Sequence, residues 1–161
     1  MTRTRTFGGP GISPGYLLWR ATLRWQRRVT MALKPLGLTY VQYVLLEGLW
    51  RFDAQGRCPS QRELADQAAT DVMMTSQVVR VLADKGLLRR AVDPRDARKR
   101  VLTITPEGRE LAERAMEVVA GADDDYFGGV GDRRALLALL GRLAFPGERG
   151  RARDGGGPAA R

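Results

Sequence analysis

The chain contains no histidine. With it go the commonest general base near neutral pH and the commonest nitrogen ligand for transition metals. Cysteine is almost absent too. Cys58 stands alone, so no disulfide can close within the chain, as suits a reducing compartment. Beyond the neighbouring Arg57 nothing in the sequence would activate its thiol, and a structural role is expected. No apolar run reaches the roughly 18 residues of a membrane helix. The opening residues are polar, carry Arg3 and Arg5, and lack the apolar centre of a signal peptide, so a cytoplasmic protein with no membrane partner is expected. The run Gly8-Gly9-Pro10-Gly11 lacks the strand and helix that a phosphate loop needs on either side. Asp123, Asp124 and Asp125 fall on one helical turn and do not converge, and no second acidic cluster completes an oxygen shell. These absences leave no catalytic residue, no metal ligand and no cofactor to nominate.

What the chain does have is positive charge. Its 161 residues hold 27 Lys and Arg against 18 Asp and Glu, a formal charge of +9. Such a balance favours a polyanionic partner. Only Lys34, Lys85 and Lys99 are lysines, so an arginine-rich composition alone is a competing explanation for the bulk charge. The length suits one domain with a core of its own. Residues 1–13 and 146–161, rich in Gly, Pro and Arg, read as a disordered arm and a disordered tail.

A long helix is expected from Pro14 to about Pro35. Leu18, Trp25, Val29, Ala32 and Leu36 form one apolar stripe, and Tyr16, Trp19 and Leu23 another. Two stripes imply two packing partners, one of which is a second copy of the chain. Thr39 with Gln42 is a capping box opening a helix to about Phe52, apolar on nearly every face and therefore central. After the turn at Asp53-Ala54-Gln55-Gly56, Ser60 and Glu63 form another capping box. It opens a short helix ending near Ala68-Ala69. A helix from about Asp71 to Lys85 follows and stops at Gly86, which can take the left-handed conformation. Two short helices joined by a tight turn are a helix-turn-helix.

Strand-like runs over residues 87–92 and 101–104 flank a turn-rich segment, and Arg89 to Arg100 carries six cations against two acids. A basic hairpin directly after such a helix is a wing. Thr105 then caps a helix to about Val119, with Pro106 at its first position. Residues 121–125 are expected to fray. Asp132 caps a last helix bearing Leu136, Leu139, Leu140 and Leu143. The expected fold is mostly α with a small β-hairpin.

Three clusters resemble the MarR (multiple antibiotic resistance regulator) family of winged helix-turn-helix transcription factors. They are Lys85-Gly86-Leu87-Leu88, then Asp93-x-Arg95-Asp96-x-Arg98, then Leu102 to Arg109, with Leu36-Gly37-Leu38-Thr39 and Gln42 upstream. The resemblance spans about residues 16–145 and implies a homodimer. Residues 14–38 and 109–145 would form the dimerisation helices and 39–108 the winged helix-turn-helix. It further implies that residues 57–59 pair with the wing strands, that Arg98 enters a DNA minor groove, and that Asp96 holds it there.

The residue chemistry supports the same partner. Thr75, Ser76 and Gln77 carry donors and acceptors for base edges, Met73 and Met74 offer contact to thymine methyls, and Arg80 reaches phosphate. Arg95, Lys99 and Arg100 suit phosphate. Ser60, Gln61 and Arg62, at a helix N-terminus, are a further phosphate position. Relatives that bind small aromatic anions do so between the dimer helices and the winged helix, where Trp19, Leu23, Tyr43, Leu46 and Trp50 are the candidates here; an aromatic core is the other reading of these five. The expected function is a homodimeric regulator on a pseudo-palindromic double-stranded operator, acting as a repressor released by a small aromatic anionic effector. A low-specificity nucleoid-type protein and a winged-helix protein-interaction module remain the alternatives.

Overall fold

A computed structural model describes residues 12–93 and 96–145. They form two units, one running through Tyr126 and one from Phe127 onward.

The first unit opens with α1 (Pro14–Leu33), whose N-cap Ser13 accepts the Tyr16 amide. A single 3-10 turn, Lys34–Leu36, ends at Gly37 with φ 66°. α2 (Tyr40–Ala54) begins at Thr39, where both halves of the expected capping box are formed. It is the central helix: Tyr43, Leu45, Leu46, Gly48, Leu49 and Phe52 are all buried. α3 (Gln61–Ala68) also begins at a complete capping box, Ser60 with Glu63. α4 (Val72–Asp84) is capped by Asp71, whose carboxylate accepts the Met74 amide. The turn between α3 and α4 passes through Ala69 at φ 51°, a left-handed conformation that costs an L-residue about 1–2 kcal/mol.

α4 leads through Gly86 (φ 73°) into β1 (Leu88–Asp93), paired antiparallel with β2 (Asp96–Ile104). The second strand is longer than its apolar residues alone suggested. The ladder is regular from Leu88↔Ile104 to Val92↔Arg100 and then shifts, so that Asp93 faces Asp96. Ala97, Arg98 and Lys99 lie within that irregularity. Residues 57–59 approach the wing through one hydrogen bond, Leu102 N–H to the Pro59 carbonyl at 2.8 Å, and adopt no regular strand.

α5 (Pro106–Phe127) starts where Thr105 Oγ1 accepts the Gly108 amide at 3.0 Å and donates to the Gly86 carbonyl at 2.7 Å. Gly108 is obligatory: a Cβ there would lie 2.0 Å from the Leu87 carbonyl oxygen. The fraying expected over residues 121–125 does not occur. α5 continues to Phe127 because its last turns are tied to α1, with Trp25 Nε1 donating to Asp123 at 2.6 Å and the Tyr126 hydroxyl to the Ala21 carbonyl at 2.9 Å. The core joins Val29 and Leu33 of α1 to Leu45, Leu46 and Leu49 of α2, Leu64 of α3, Val79 and Leu82 of α4, and Ala112, Ala115 and Val119 of α5.

The second unit contains α6 (Arg133–Ala144), capped by Asp132 as expected. It buries none of its residues, and Leu137, Leu139 and Leu143 are exposed. Along the described residues no single helix is long and apolar enough to cross a membrane.

Candidate nucleic-acid interface

α4 turns Thr75, Val79 and Leu82 inward, which fixes what its other side presents. Met73, Gln77 and Arg80, spaced by four and three residues, form the opposite exposed stripe, with Val72 and Met74 exposed and Ser76 half-buried beside it. Thr75 corrects the sequence reading. It is fully buried, and its Oγ1 donates to the Asp71 carbonyl at 2.9 Å and lies 2.8 Å from Thr70 Oγ1. It pins the helix-turn-helix corner instead of meeting a base, because it falls on the same helical face as Val79 and Leu82.

The wing supplies charge. Arg89, Arg90, Arg98, Lys99 and Arg100 are all exposed, and among the described residues neither these five nor Arg80 enters a salt bridge. Arg95 lies outside the described residues. Asp96 does act on Arg98, though differently from the expectation. Its Oδ1 accepts the Arg98 backbone N–H at 3.0 Å, so the carboxylate fixes the irregular turn and leaves the guanidinium exposed.

The start of α3 faces the wing. Gln61 lines a cavity of about 310 Å³ with Arg90, Val92, Arg100 and Leu102. Arg90 was not singled out from the sequence; the signal was its place among the wing cations. Ser60 is less available than the sequence suggested, since its amide is already taken by the Glu63 carboxylate at 2.8 Å. That bond, the Ser60 hydroxyl and the nearby cations Arg57 and Lys99 hold the Glu63 carboxyl below the usual range. The helix N-terminus is thus occupied by its own carboxylate, while Gln61 is half-buried and Arg62 exposed beside it.

Two further contacts escaped the sequence. Lys85 Nζ donates to the Gly37 carbonyl at 2.8 Å and to Gln42 Oε1 at 3.2 Å, tying the end of α4 to the α1–α2 junction. Arg109 pairs with Asp53, joining α5 to the end of α2. Cys58 was expected to be a structural thiol, but it is exposed, the alternating chain having turned its neighbour Pro59 inward.

The five candidate effector residues differ in burial within a single chain. Tyr43 and Leu46 are buried in the core, and Trp50 packs against it while its Nε1 donates to Glu113 at 3.1 Å. Leu23 is half-buried, and Trp19 is 58% exposed. Burial and the carboxylate of Glu47 raise the Tyr43 pKa, so its hydroxyl stays neutral at any ordinary pH.

A helix-turn-helix with an outward polar-apolar stripe, followed by a cationic hairpin, defines a winged-helix DNA-binding regulator. Comparison with known proteins narrows the class. Residues 38–99 match the model of the MarR family. The HTH-type transcriptional regulator YdcH of Bacillus subtilis is 39% identical over 85% of this chain and 93% of its own length. The HTH-type transcriptional repressor Rv2887 of Mycobacterium tuberculosis is 38% identical over 68% of this chain and 76% of its own. Its structure in complex with DNA superposes with a TM-score of 0.67, 32% identity, and coverage of 82% of this chain and 98% of that one. Its complex with salicylic acid gives a TM-score of 0.65 at 32% identity, covering 83% and 98%. CouR of Rhodococcus jostii RHA1, bound to p-coumaroyl-CoA, gives 0.72 at 31% identity, covering 82% and 92%. The chain belongs to the MarR family and is a DNA-binding transcriptional regulator.

Proposed function

We propose that the protein is a homodimeric, sequence-specific repressor without enzymatic activity, working in the cytoplasm on a pseudo-palindromic operator. The observation that carries this reading is the outward stripe of α4 beside a wing whose five described cations form no salt bridge. Met73, Met74, Ser76 and Gln77 face the base edges, and Arg80, Gln61 and Arg62 lie toward the phosphates. Arg98 enters the minor groove, with Arg95, Lys99 and Arg100 on the backbone around it. Residues 14–38 and 109–145 form the dimer region. Exposed apolar residues at both of its ends support this, namely Tyr16, Leu17 and Leu18 on α1 and Leu137, Leu139 and Leu143 on α6. Of the arm and tail expected over residues 1–13 and 146–161, all but residues 12 and 13 lie outside the described residues.

Release by a small aromatic acid, or by a thioester of one, is supported by the ligands held by Rv2887 and CouR. The effector site of this reading lies between the dimer helices and the winged helix, with Trp19, Leu23, Tyr43, Leu46 and Trp50 as its lining; the exposure of Trp19 and the half-burial of Leu23 support access to it.

The test is competition between the chain's own promoter fragment and random duplex over a salt series, with and without a panel of aromatic acids. Sequence preference that survives as salt rises is expected, because base contacts remain when counterion release weakens. Equal affinity for both duplexes at every salt concentration would make the protein a low-specificity DNA binder. An acid that releases operator must in turn bind more weakly to the operator complex by the same factor, about 5–150-fold.

A further inference from the structure

Three large apolar side chains stand exposed in a row where α4 begins. Val72 is 48%, Met73 77% and Met74 42% exposed. Water is a poor neighbour for so much apolar surface, and in a chain of this charge the surface needs an occupant compatible with surrounding cations. The only charged residue in α4 before Asp84 is Arg80, and the adjacent wing adds Arg89, Arg90, Arg98, Lys99 and Arg100. An acceptor that is polyanionic at its rim and apolar at its floor matches both features. Duplex DNA has this character where thymine 5-methyl groups line the major groove.

The polar side of the same turns sharpens the point. With Thr75 buried, only Ser76 and Gln77 can form hydrogen bonds to bases from the first two turns. No arginine, lysine or asparagine is present between Val72 and Val79. The bidentate arginine or lysine contact that most often selects guanine is therefore missing from the part of the helix that enters the groove deepest.

We infer that Val72, Met73 and Met74 form an apolar reader of thymine methyl groups, giving each half-site a T/A-rich centre recognised by shape and methyl contact more than by hydrogen bonds. Met73 opens the outward stripe, is the most exposed of the three at 77%, and carries the largest share. Its unbranched thioether side chain adapts to neighbouring methyls without a fixed geometry. This inference rests on the DNA-reading function proposed above and specifies its ligand.

The experiment has two stages. Selection from random duplex with the full-length protein first yields a bound sequence. Each thymine of that sequence is then replaced singly by deoxyuridine, which removes the methyl and leaves the pairing edge intact. With wild type, one or more central replacements in each half-site are expected to weaken binding about fourfold per methyl. Met73→Ser should bind the thymine and uracil duplexes almost equally, whereas wild type should bind 5-methylcytosine at such a position more tightly than cytosine. Met73 is exposed, and circular dichroism of the variant confirms its fold. If a sequence is enriched but no uracil replacement changes affinity, or if Met73→Ser keeps the full sensitivity, methyl reading is overturned while specific DNA binding stands. If no sequence is enriched, the DNA-reading function itself fails, and the inference with it.

Discussion

At the scale of single residues, a side chain's role here depends on which helical face or strand position it takes. Arg98 is exposed, and the neighbouring Asp96 carboxylate accepts the Arg98 backbone amide within an irregular turn. Arg98→Ala should cost about 1–3 kcal/mol of operator affinity without lowering thermal stability, whereas Lys99→Ala should weaken specific and random duplexes alike and reduce the salt slope by about one. Filter binding or fluorescence anisotropy across salt measures both; an Arg98→Ala protein that bound operator like wild type would remove the wing from the interface. Gly108 shows the opposite dependence, on space alone. A Cβ at this position would collide with the Leu87 carbonyl, so Gly108→Ala should lower stability by at least about 2 kcal/mol. Unchanged unfolding of that variant in urea would mean that α5 can slide off the Leu87 backbone, contrary to the packing described.

At the scale of elements, the recognition helix is positioned from both ends. Thr70 and Thr75 close the turn before it, and Lys85 anchors its last turn to Gly37 and Gln42. Lys85→Met keeps the stem and removes the ammonium. A loss of about 1 kcal/mol in stability is expected, together with weaker operator binding, since α4 would be less firmly oriented over the groove. Calorimetry and operator titration of the same sample would separate the two effects. If stability falls and affinity does not, the tie supports the fold and does not orient the reader. α3 is held differently, by Glu63 at its own N-terminus. Because the Glu63 pKa is depressed in the folded chain, its contribution is present above the ordinary glutamate range and lost as pH falls through its lowered value.

At the scale of the molecule, the unmet need is cover for apolar surface. α6 buries nothing of its own, and the first turns of α1 expose Tyr16, Leu17, Leu18 and Trp19. A second copy is the expected cover, and two half-sites one helical turn apart require two recognition helices held at about 34–36 Å. Truncation before Asp132 should abolish dimerisation and promote aggregation, as measured by sedimentation velocity. A full-length chain that sediments as a monomer at micromolar concentration, or a truncated chain that remains a soluble dimer, would contradict it.

The caps were legible in the sequence by itself: Thr39 with Gln42, Ser60 with Glu63, Asp71, Thr105 and Asp132 all open helices where the sequence places them. So was the wing, with its charge. Each cap is settled by groups three residues apart, and the wing is announced by two β-prone runs around a compact cationic turn, which is the range a sequence pattern can display. Only the tertiary structure decided that Thr75 points inward while Ser76 does not, because that choice follows from the direction of the core. It alone showed Lys85 reaching Gly37, and Trp25 meeting Asp123 across 98 residues. That last contact is why α5 runs to Phe127: residues 121–125 have weak local reasons to be helical, and a buried-side hydrogen bond from another helix supplies the rest.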